Sequence, residues 1–236
     1  MSASAGNHGR ADVLLFPELM DGGYEHLSAG TASLLRSNSV IAHLRKRSTN
    51  SYLIAGSLYV DGRNSSLVFH RGRLVHRYDK MHLFRHTGDD RYFIPGKRAR
   101  TFLIHRNSIR IRAGIVICYD LRFPELVRTM ALQGMDVLFV PARWPVVRDD
   151  AWRTLLKARA IENQIFVVGC NARGPEGGYS YAFGPTGEEL YSSRKRRRER
   201  VVELPLEELE KARRFSHGVR EARMLHVGKR GKWVWR

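Results

Sequence analysis

Short, nearly unbroken apolar runs alternate along this chain with longer segments whose apolar residues recur at helical spacing. ADVLLF, YLIAGSLYV, SSLVFH, IRIRAGIVIC, DVLFVPA, IFVVGCNA, YSYAFGP and RVVELPL have the length and composition of strands. Several are apolar at consecutive rather than alternate positions, the pattern of strands covered on both faces. Three segments carry the longer period. LRFPELVRTMALQG turns Leu126, Met130 and Leu132 toward a core and stops at Gly134. DDAWRTLLKARAIENQ predicts a second helix with Asp149 or Asp150 as its cap, and PLEELEKARRF predicts a third. VDGRNS and HRGRL place glycine-containing turns between neighbouring strands, as hairpins do, so mixed sheets are expected. Strands interleaved with helices and no linker-like stretch predict one α/β layered domain over residues 1–236.

Composition narrows the class. With 43% hydrophobic and 27% charged residues in 236, the chain can bury a sizeable core. It has no run of about 18 apolar residues and no apolar signal at its start, so no membrane span is predicted and a cytoplasmic protein is expected. The net charge is +18, carried by 33 Arg and 8 Lys spread along the chain. Only RKRRRER, Arg194 to Arg200, is a block. It has no interleaved aromatics for base stacking and is read as a solvated connection between two strands rather than a nucleic-acid footprint. Two cysteines, Cys118 and Cys170, make no disulfide framework, and no His/Cys spacing suggests zinc. Cys170, in IFVVGCNARG, reads as a small buried hydrophobe.

Three reactive side chains follow directly on apolar strands: Glu18 in VLLFPEL, Lys80 in RLVHRYDKMHLF and Cys118 in GIVICYDLRFPEL. Strand ends on a rigid sheet are where α/β enzymes tend to keep their chemistry. Singly, they read as a helix cap, a surface charge and core filling. Together they are a thiol, a carboxylate to take its proton and a cation to face an oxyanion. The intervals of 62 and 38 residues between them leave their proximity open.

LLFPEL, RYDKMHLF and ICYDLRFPEL resemble the three signature blocks of the nitrilase superfamily of carbon–nitrogen hydrolases. VPARWPVVRDDAWRTLLKARAIENQIFVVGCNARG is similar to the segment that follows the nucleophile there, and the resemblance spans about residues 11–214. It implies a four-layer α-β-β-α sandwich and a Glu-Lys-Cys triad that works without metal or cofactor. Block by block, Glu18 becomes the general base, Lys80 the oxyanion-facing cation and Cys118 the nucleophile, with the backbone N–H of Tyr119 as a second oxyanion donor. A nearby cation is expected to lower the thiol pKa. The histidines, His82 among them, need no catalytic role. Where the family pattern G-E-x-x-Y/F has a second glutamate, this chain reads TGDDRYFIPG, which puts Asp89 there. One methylene shorter, Asp89 is expected to fall short of Lys80 or substrate unless the backbone shifts or a water intervenes; a turn acid beside Gly88 is the equal alternative.

CYDLRFPEL, RYDKMHLF and the pair Trp144-Pro145 resemble the branch acting on ω-amides of dicarboxylic or α-keto acids, including deaminated-glutathione-type amidases. Such substrates carry a carboxylate at the far end, which favours a fixed arginine. Arg143, where relatives often have Asn, is the first candidate clamp. Arg122 is the second, although an i,i+3 ion pair with Glu125 is the preferred reading of it. Trp144 reads as a pocket wall or as core filler, and Tyr24 as a pocket aromatic or as packing. Relatives open with a strand and a long helix before the FPE block. Here FPEL arrives by residue 18, so that strand and helix are expected to be missing and a sheet edge bared, while MSASAGNHGRADVLLFPE resembles the tail of the helix and the next strand. The chain departs from the family after about Arg214. In relatives the tail often crosses to a second subunit, which implies a homodimer or larger assembly, with Trp233 and Trp235 at an interface or packed on their own domain. The leading reading is a cofactor-free ω-amidase that takes a small-molecule amide and releases ammonia. The alternatives are a superfamily amidase for carbamoyl or nitrile substrates and an inactive scaffold of the same fold, with nucleic-acid binding last.

Overall fold

The computed structural model describes residues 11–24, 27, 31–174, 176–195, 201–215, 225–227 and 233–235. The first apolar run forms β1 (Val13–Leu15), followed by helix α1 (Thr31–Arg47). Strands β2 (Tyr52–Val60), β3 (Arg63–His70) and β4 (Arg73–Asp79) then complete a sheet in the order β1-β2-β3-β4. β1 lies parallel to β2, and the rest is an antiparallel meander. Its two hairpin turns are Asp61-Gly62 and Arg71-Gly72, and all four residues have positive φ, as the sequence pattern requires.

A short helix α2 (Asp89–Tyr92) leads to the second sheet. This sheet contains β5 (Phe102–Arg106), β6 (Ile109–Ile115), β7 (Val137–Ala142), β8 (Phe166–Asn171), β9 (Tyr181–Phe183) and β10 (Glu189–Ser192) in the order β10-β9-β8-β7-β6-β5. The central strands β6, β7 and β8 are parallel and the outer pairs antiparallel, so both sheets meet the expectation of mixed pairing. Helices α3 (Pro124–Ala131) and α4 (Asp149–Asn163) cross over between the parallel strands, and α5 (Glu207–Phe215) follows the second sheet. Among the described tail residues, β11 (Leu225–Val227) and β12 (Trp233–Trp235) pair antiparallel.

Packing sorts these elements into four layers. Leu44 of α1 buries against Leu53, Ala55, Leu67 and Phe69 of the first sheet. The other face of that sheet presents Tyr52, Ile54, Val68 and Tyr78 to Ile104, Ala113, Ile115, Val137 and Phe139 of the second. The far face of the second sheet packs Leu138, Val140 and Val167 against Met130 of α3 and Trp152 and Leu156 of α4. Each of these large apolar side chains contributes roughly 1.5–3 kcal/mol when fully buried. The order is α-β-β-α, as the resemblance implies.

Several sequence expectations give way. The described part of RVVELPL, residues 201–206, forms no strand: Val201 is exposed, while Leu204 and Leu206 pack as an irregular segment on the inter-sheet cluster. Apolarity there serves packing without a ladder. Leu132 lies past the end of α3 and is 41% exposed, not turned to the core. Neither Asp149 nor Asp150 caps α4, because the cap position belongs to Arg148; Asp149 is the first helical residue, and its Oδ2 accepts the Tyr181 hydroxyl at 2.7 Å. The front of the chain before residue 11, the block residues 196–200 and the side chains of Trp233 and Trp235 lie outside the described residues. Of the basic block, Arg194 pairs with Asp149 at 3.4 Å and Lys195 with Glu189 at 2.9 Å. No helix among the described residues is long and apolar enough to cross a membrane.

Candidate active site

Three strand ends deliver the reactive groups to one place between the sheets. After β1 the ladder with β2 continues through Phe16 N–H to Ile54 O at 3.1 Å, and then Pro17 interrupts it for want of a donor. Ser57 takes over: its N–H reaches Pro17 O at 3.3 Å, its O accepts Met20 N–H at 3.0 Å, and its hydroxyl accepts Leu19 N–H at 3.0 Å. β2 bulges between Ala55 and Leu58 to allow this. Gly56 sits in the bulge, where a Cβ would fall 1.9 Å from Phe16 O and 2.1 Å from Pro17 O. Close backbone approach at Gly56 therefore sets where Glu18 stands.

Lys80 follows β4, with its N–H on Asn64 O at 2.9 Å and its carbonyl accepting Gly96 N–H at 2.8 Å. Cys118 follows β6 and opens a 3-10 turn, Cys118–Arg122, at φ 47°. A left-handed backbone costs a non-glycine residue roughly 1–2 kcal/mol, and strain of this kind persists only where the surroundings fix it. Here Asp120 fixes it. Its Oδ2 accepts Ile117 N–H at 3.2 Å, and its backbone N–H binds Ile117 O at 3.0 Å.

The ammonium of Lys80 lies 2.9 Å from Glu18 Oε1 and 2.7 Å from Asp89 Oδ2, all three side chains being 1% exposed or less. Glu18 is held by two more donors, Asn64 Nδ2 on Oε1 at 3.0 Å and Arg143 N–H on Oε2 at 3.0 Å. The Cys118 thiol donates to Arg143 O at 3.7 Å and lies in the field of Glu18 and Lys80. Burial alone would discharge a lysine, but the field of Glu18, Tyr24, Asp89 and Cys118 holds Lys80 well above its ordinary range. The same balance corrects the expectation for the nucleophile. Burial and the Glu18 charge push the Cys118 thiol well up, and Lys80 only partly opposes them. With two carboxylates to one ammonium, the cluster favours a neutral thiol.

Asp89 reaches Lys80 directly, against the expectation that its shorter side chain falls short. Gly88, at φ 79°, turns the chain into α2 so that Asp89 opens the helix fully buried, and its Oδ2 also accepts Phe84 N–H at 3.0 Å. The turn thus delivers the Asp89 carboxylate directly to Lys80. Tyr24 also belongs to the cluster: burial first, then the charge of Glu18, raises its phenol far above the usual range, with Lys80, Asp89 and Cys118 in the same field. Tyr119 follows Cys118 in the turn, its ring against Phe84 at 4.7 Å and edge-on to Phe123 at 5.4 Å. Arg143 sends Nε to Glu18 O at 3.0 Å, Nη2 to Leu19 O at 3.1 Å and Nη1 to Glu176 at 3.2 Å. Trp144 is 4% exposed and stacks obliquely on Trp152 at 5.3 Å. Arg122 makes no ion pair with Glu125; its guanidinium lies over the Trp144 ring at 4.9 Å. An apolar-ringed neighbour outcompetes an exposed, solvent-screened pair on one helical turn.

Three residues that support the site have no signal in a single sequence. Asn64 lies inside a hairpin strand yet bonds Glu18 with its side chain and Lys80 with its backbone. Asp120, fully buried, accepts Tyr78 OH at 2.7 Å, His82 N–H at 2.8 Å and His82 Nδ1 at 2.9 Å as well as Ile117 N–H. It ties the strand leading to Lys80 to the turn that carries Cys118, and His82 thereby has a structural place. Asn171 clasps Trp144 with paired bonds of 2.9 Å to its N–H and its carbonyl. Cys170 is half-buried rather than a core residue: its Sγ rests 3.5 Å from Leu15 O, and desolvation pushes its thiol up to about 12. Among the described residues, no group of His, Cys, Asp and Glu is arranged to hold a metal ion.

Residues 1–214 match the family model described as carbon-nitrogen hydrolase. A hydrolase in the agr operon of Staphylococcus lugdunensis is 34% identical over 218 residues, covering 86% of this chain and 91% of that protein. The 2-oxoglutaramate amidase of Bacillus subtilis is 34% identical over 194 residues, 76% of this chain and 73% of that one. The omega-amidase YafV of Escherichia coli K12 is 36% identical over 187 residues, 75% of this chain and 70% of that one. Among solved structures, a mutant of the Nesterenkonia sp. AN1 amidase shows covalent addition of the acetamide moiety of fluoroacetamide at its active site cysteine. It superposes with a TM-score of 0.66 at 26% identity over 77% of this chain and 73% of that one.

Proposed function

The chain belongs to the carbon–nitrogen hydrolase family, and from that premise we propose that it hydrolyses the terminal amide of a small carboxylate-bearing ω-amide through a thioester on Cys118. The observation that carries this is the buried ion-paired cluster of Glu18, Lys80 and Asp89, with the Cys118 thiol in its field and set against the same Arg143 backbone that binds Glu18. Because the resting thiol is neutral, deprotonation and attack are coupled. Glu18 takes the Sγ proton as sulfur bonds to the amide carbon, and the carbonyl oxygen becomes an oxyanion facing Lys80 and the backbone N–H of Tyr119. As the tetrahedral adduct collapses, the C–N bond breaks and Glu18 returns the proton to the leaving nitrogen, which departs as ammonia. Water then adds to the thioester with Glu18 again as base, and the carboxylic acid leaves as the thiol is restored. When Glu18 is protonated, Asp89 still pairs Lys80, so the cation keeps its charge and aim throughout.

Support for an ω-amide comes from the relatives that are a 2-oxoglutaramate amidase and an omega-amidase. Arg143 gives that reading a physical counterpart: a guanidinium beside Gly23 at the loop that carries Glu18 and Tyr24, suited to a distal carboxylate. Tyr24 and Trp144 complete the substrate-side surroundings in this reading. The chemistry needs Cys118 as a free thiol, which the reducing cytoplasm maintains. Ammonia release measured across ω-amides of dicarboxylic and α-keto acids, carbamoyl compounds and nitriles tests the proposal. Turnover highest on the ω-amides supports it. Turnover confined to carbamoyl compounds or nitriles, or absent from every class, rejects it.

A further inference from the structure

Arg143 meets both reacting side chains through its backbone, its N–H on Glu18 and its carbonyl beside the Cys118 thiol. Its side chain runs back along the loop that follows Glu18. A guanidinium has five N–H donors arranged along two carboxylate-matching edges. The edge formed by Nε and Nη2 is already used, on the carbonyls of Glu18 and Leu19 at 3.0 and 3.1 Å. The terminal edge, Nη1 with Nη2, carries a single contact from Glu176 Oε2 to Nη1 at 3.2 Å. Glu176 thus touches with one oxygen an edge built for two.

The two partners differ in freedom. Arg143 is 17% exposed and hemmed against Gly23, where a Cβ would come within 3.0 Å of its Cζ. Tyr24, the next residue, lies in the field of Glu18, Lys80, Asp89 and Cys118. Glu176 is 46% exposed, with Gly174, Gly177 and Gly178 close to it in sequence. Gly174 stands at φ 97° with open space around it. A one-toothed, exposed ion pair on a glycine-rich segment is held weakly and exchanges readily.

We infer that Glu176 is a resident carboxylate that occupies the terminal edge of Arg143 when no substrate is bound, and that the distal carboxylate of the ω-amide displaces it. The inference rests on the ω-amide reading and deepens it. A substrate carboxylate that binds both Nη1 and Nη2 replaces a single hydrogen bond by two parallel ones, so the exchange selects amides that carry a far carboxylate. A neutral amide cannot make the exchange and leaves Glu176 in place. Glu176 therefore acts on substrate binding and not on the chemical steps.

Glu176→Gln tests this, since the exposed side chain can change without disturbing the core. Glutarate protection of Cys118 against iodoacetamide, a readout independent of turnover, is expected to strengthen about two- to fivefold in the variant. KM for a carboxylate-bearing ω-amide is expected to fall by the same factor with kcat unchanged, while KM for butyramide stays put. Unchanged or weakened glutarate protection overturns the exchange, and so does an equal fall in KM for butyramide. Wild-type protein that is protected by glutarate, more strongly in the variant, yet turns over no ω-amide rejects the proposed reaction while leaving the exchange standing.

Discussion

At the scale of single residues, the site works by opposing burial with pairing. Cys118 is held as a thiol, so its alkylation by iodoacetamide is expected to be slow at neutral pH and to keep climbing through pH 9. A rate already level between pH 6 and 8 would mark a preformed thiolate instead. Asp89 anchors Lys80 in a slot with no exposed surface, and a charged hydrogen bond of that kind is worth about 1.5–3 kcal/mol. Asp89→Asn is therefore expected to lower kcat about 10- to 100-fold. Asp89→Glu should lower it too, because reach is not limiting and the extra methylene has nowhere to go; steady-state kinetics on both variants decide this. Glu18, Lys80 and Cys118 were legible because each follows an apolar strand within a family block. Asn64 and Asp120 were not, because what they bind is brought near only by the fold: a carboxylate 46 residues away for Asn64, a tyrosine 42 residues away for Asp120. The position of Asp89 was readable from the block, but its reach depends on the left-handed turn at Gly88, a backbone property that side-chain length does not reveal.

At the scale of elements, the placement of Glu18 depends on the bulge in β2. Gly56→Ala would thrust a Cβ into Phe16 O and Pro17 O. Overpacking of this sort costs about 1–3 kcal/mol, and here it also displaces the loop that carries Glu18. A fall of more than tenfold in kcat/KM with a lowered melting temperature is expected; full activity would show that the bulge does not govern Glu18. Most strands were readable as apolar runs, and the Asp-Gly and Arg-Gly hairpins from their turn residues. β5 (Phe102–Arg106) escaped because, as an edge strand, it alternates buried and exposed residues over only five positions. α1 escaped because serines dilute its apolar stripe, and one of them, Ser37, is buried and bonded to Asp21. RVVELPL misled in the opposite direction, since its leucines pack without entering a ladder.

At the scale of the whole molecule, two sheets share one inter-sheet core, and its rim carries a half-buried histidine. His76 stacks on Phe102 at 4.7 Å, and burial, with Arg100 nearby, lowers it from 6.5 to about 4. Folding then depends on its staying neutral. Above pH 6.5 neither state is protonated there, but as pH falls toward 4 the unfolded chain binds a proton that the folded one refuses. Stability is lost across that window, by at most about 3 kcal/mol for a full shift and less for a partly exposed ring. Melting curves of His76→Gln should lose less stability between pH 7 and 4 than the wild type; parallel losses would remove His76 from the account. The proposed carbon–nitrogen cleavage passes through an acyl group on Cys118. The most direct measurement is intact-protein mass spectrometry of the enzyme quenched during turnover of an ω-amide, with Cys118→Ala beside it. An acyl adduct that maps to Cys118 and is lost on further incubation is expected, with neither adduct nor ammonia from the variant. Ammonia released by Cys118→Ala at the wild-type rate would contradict it.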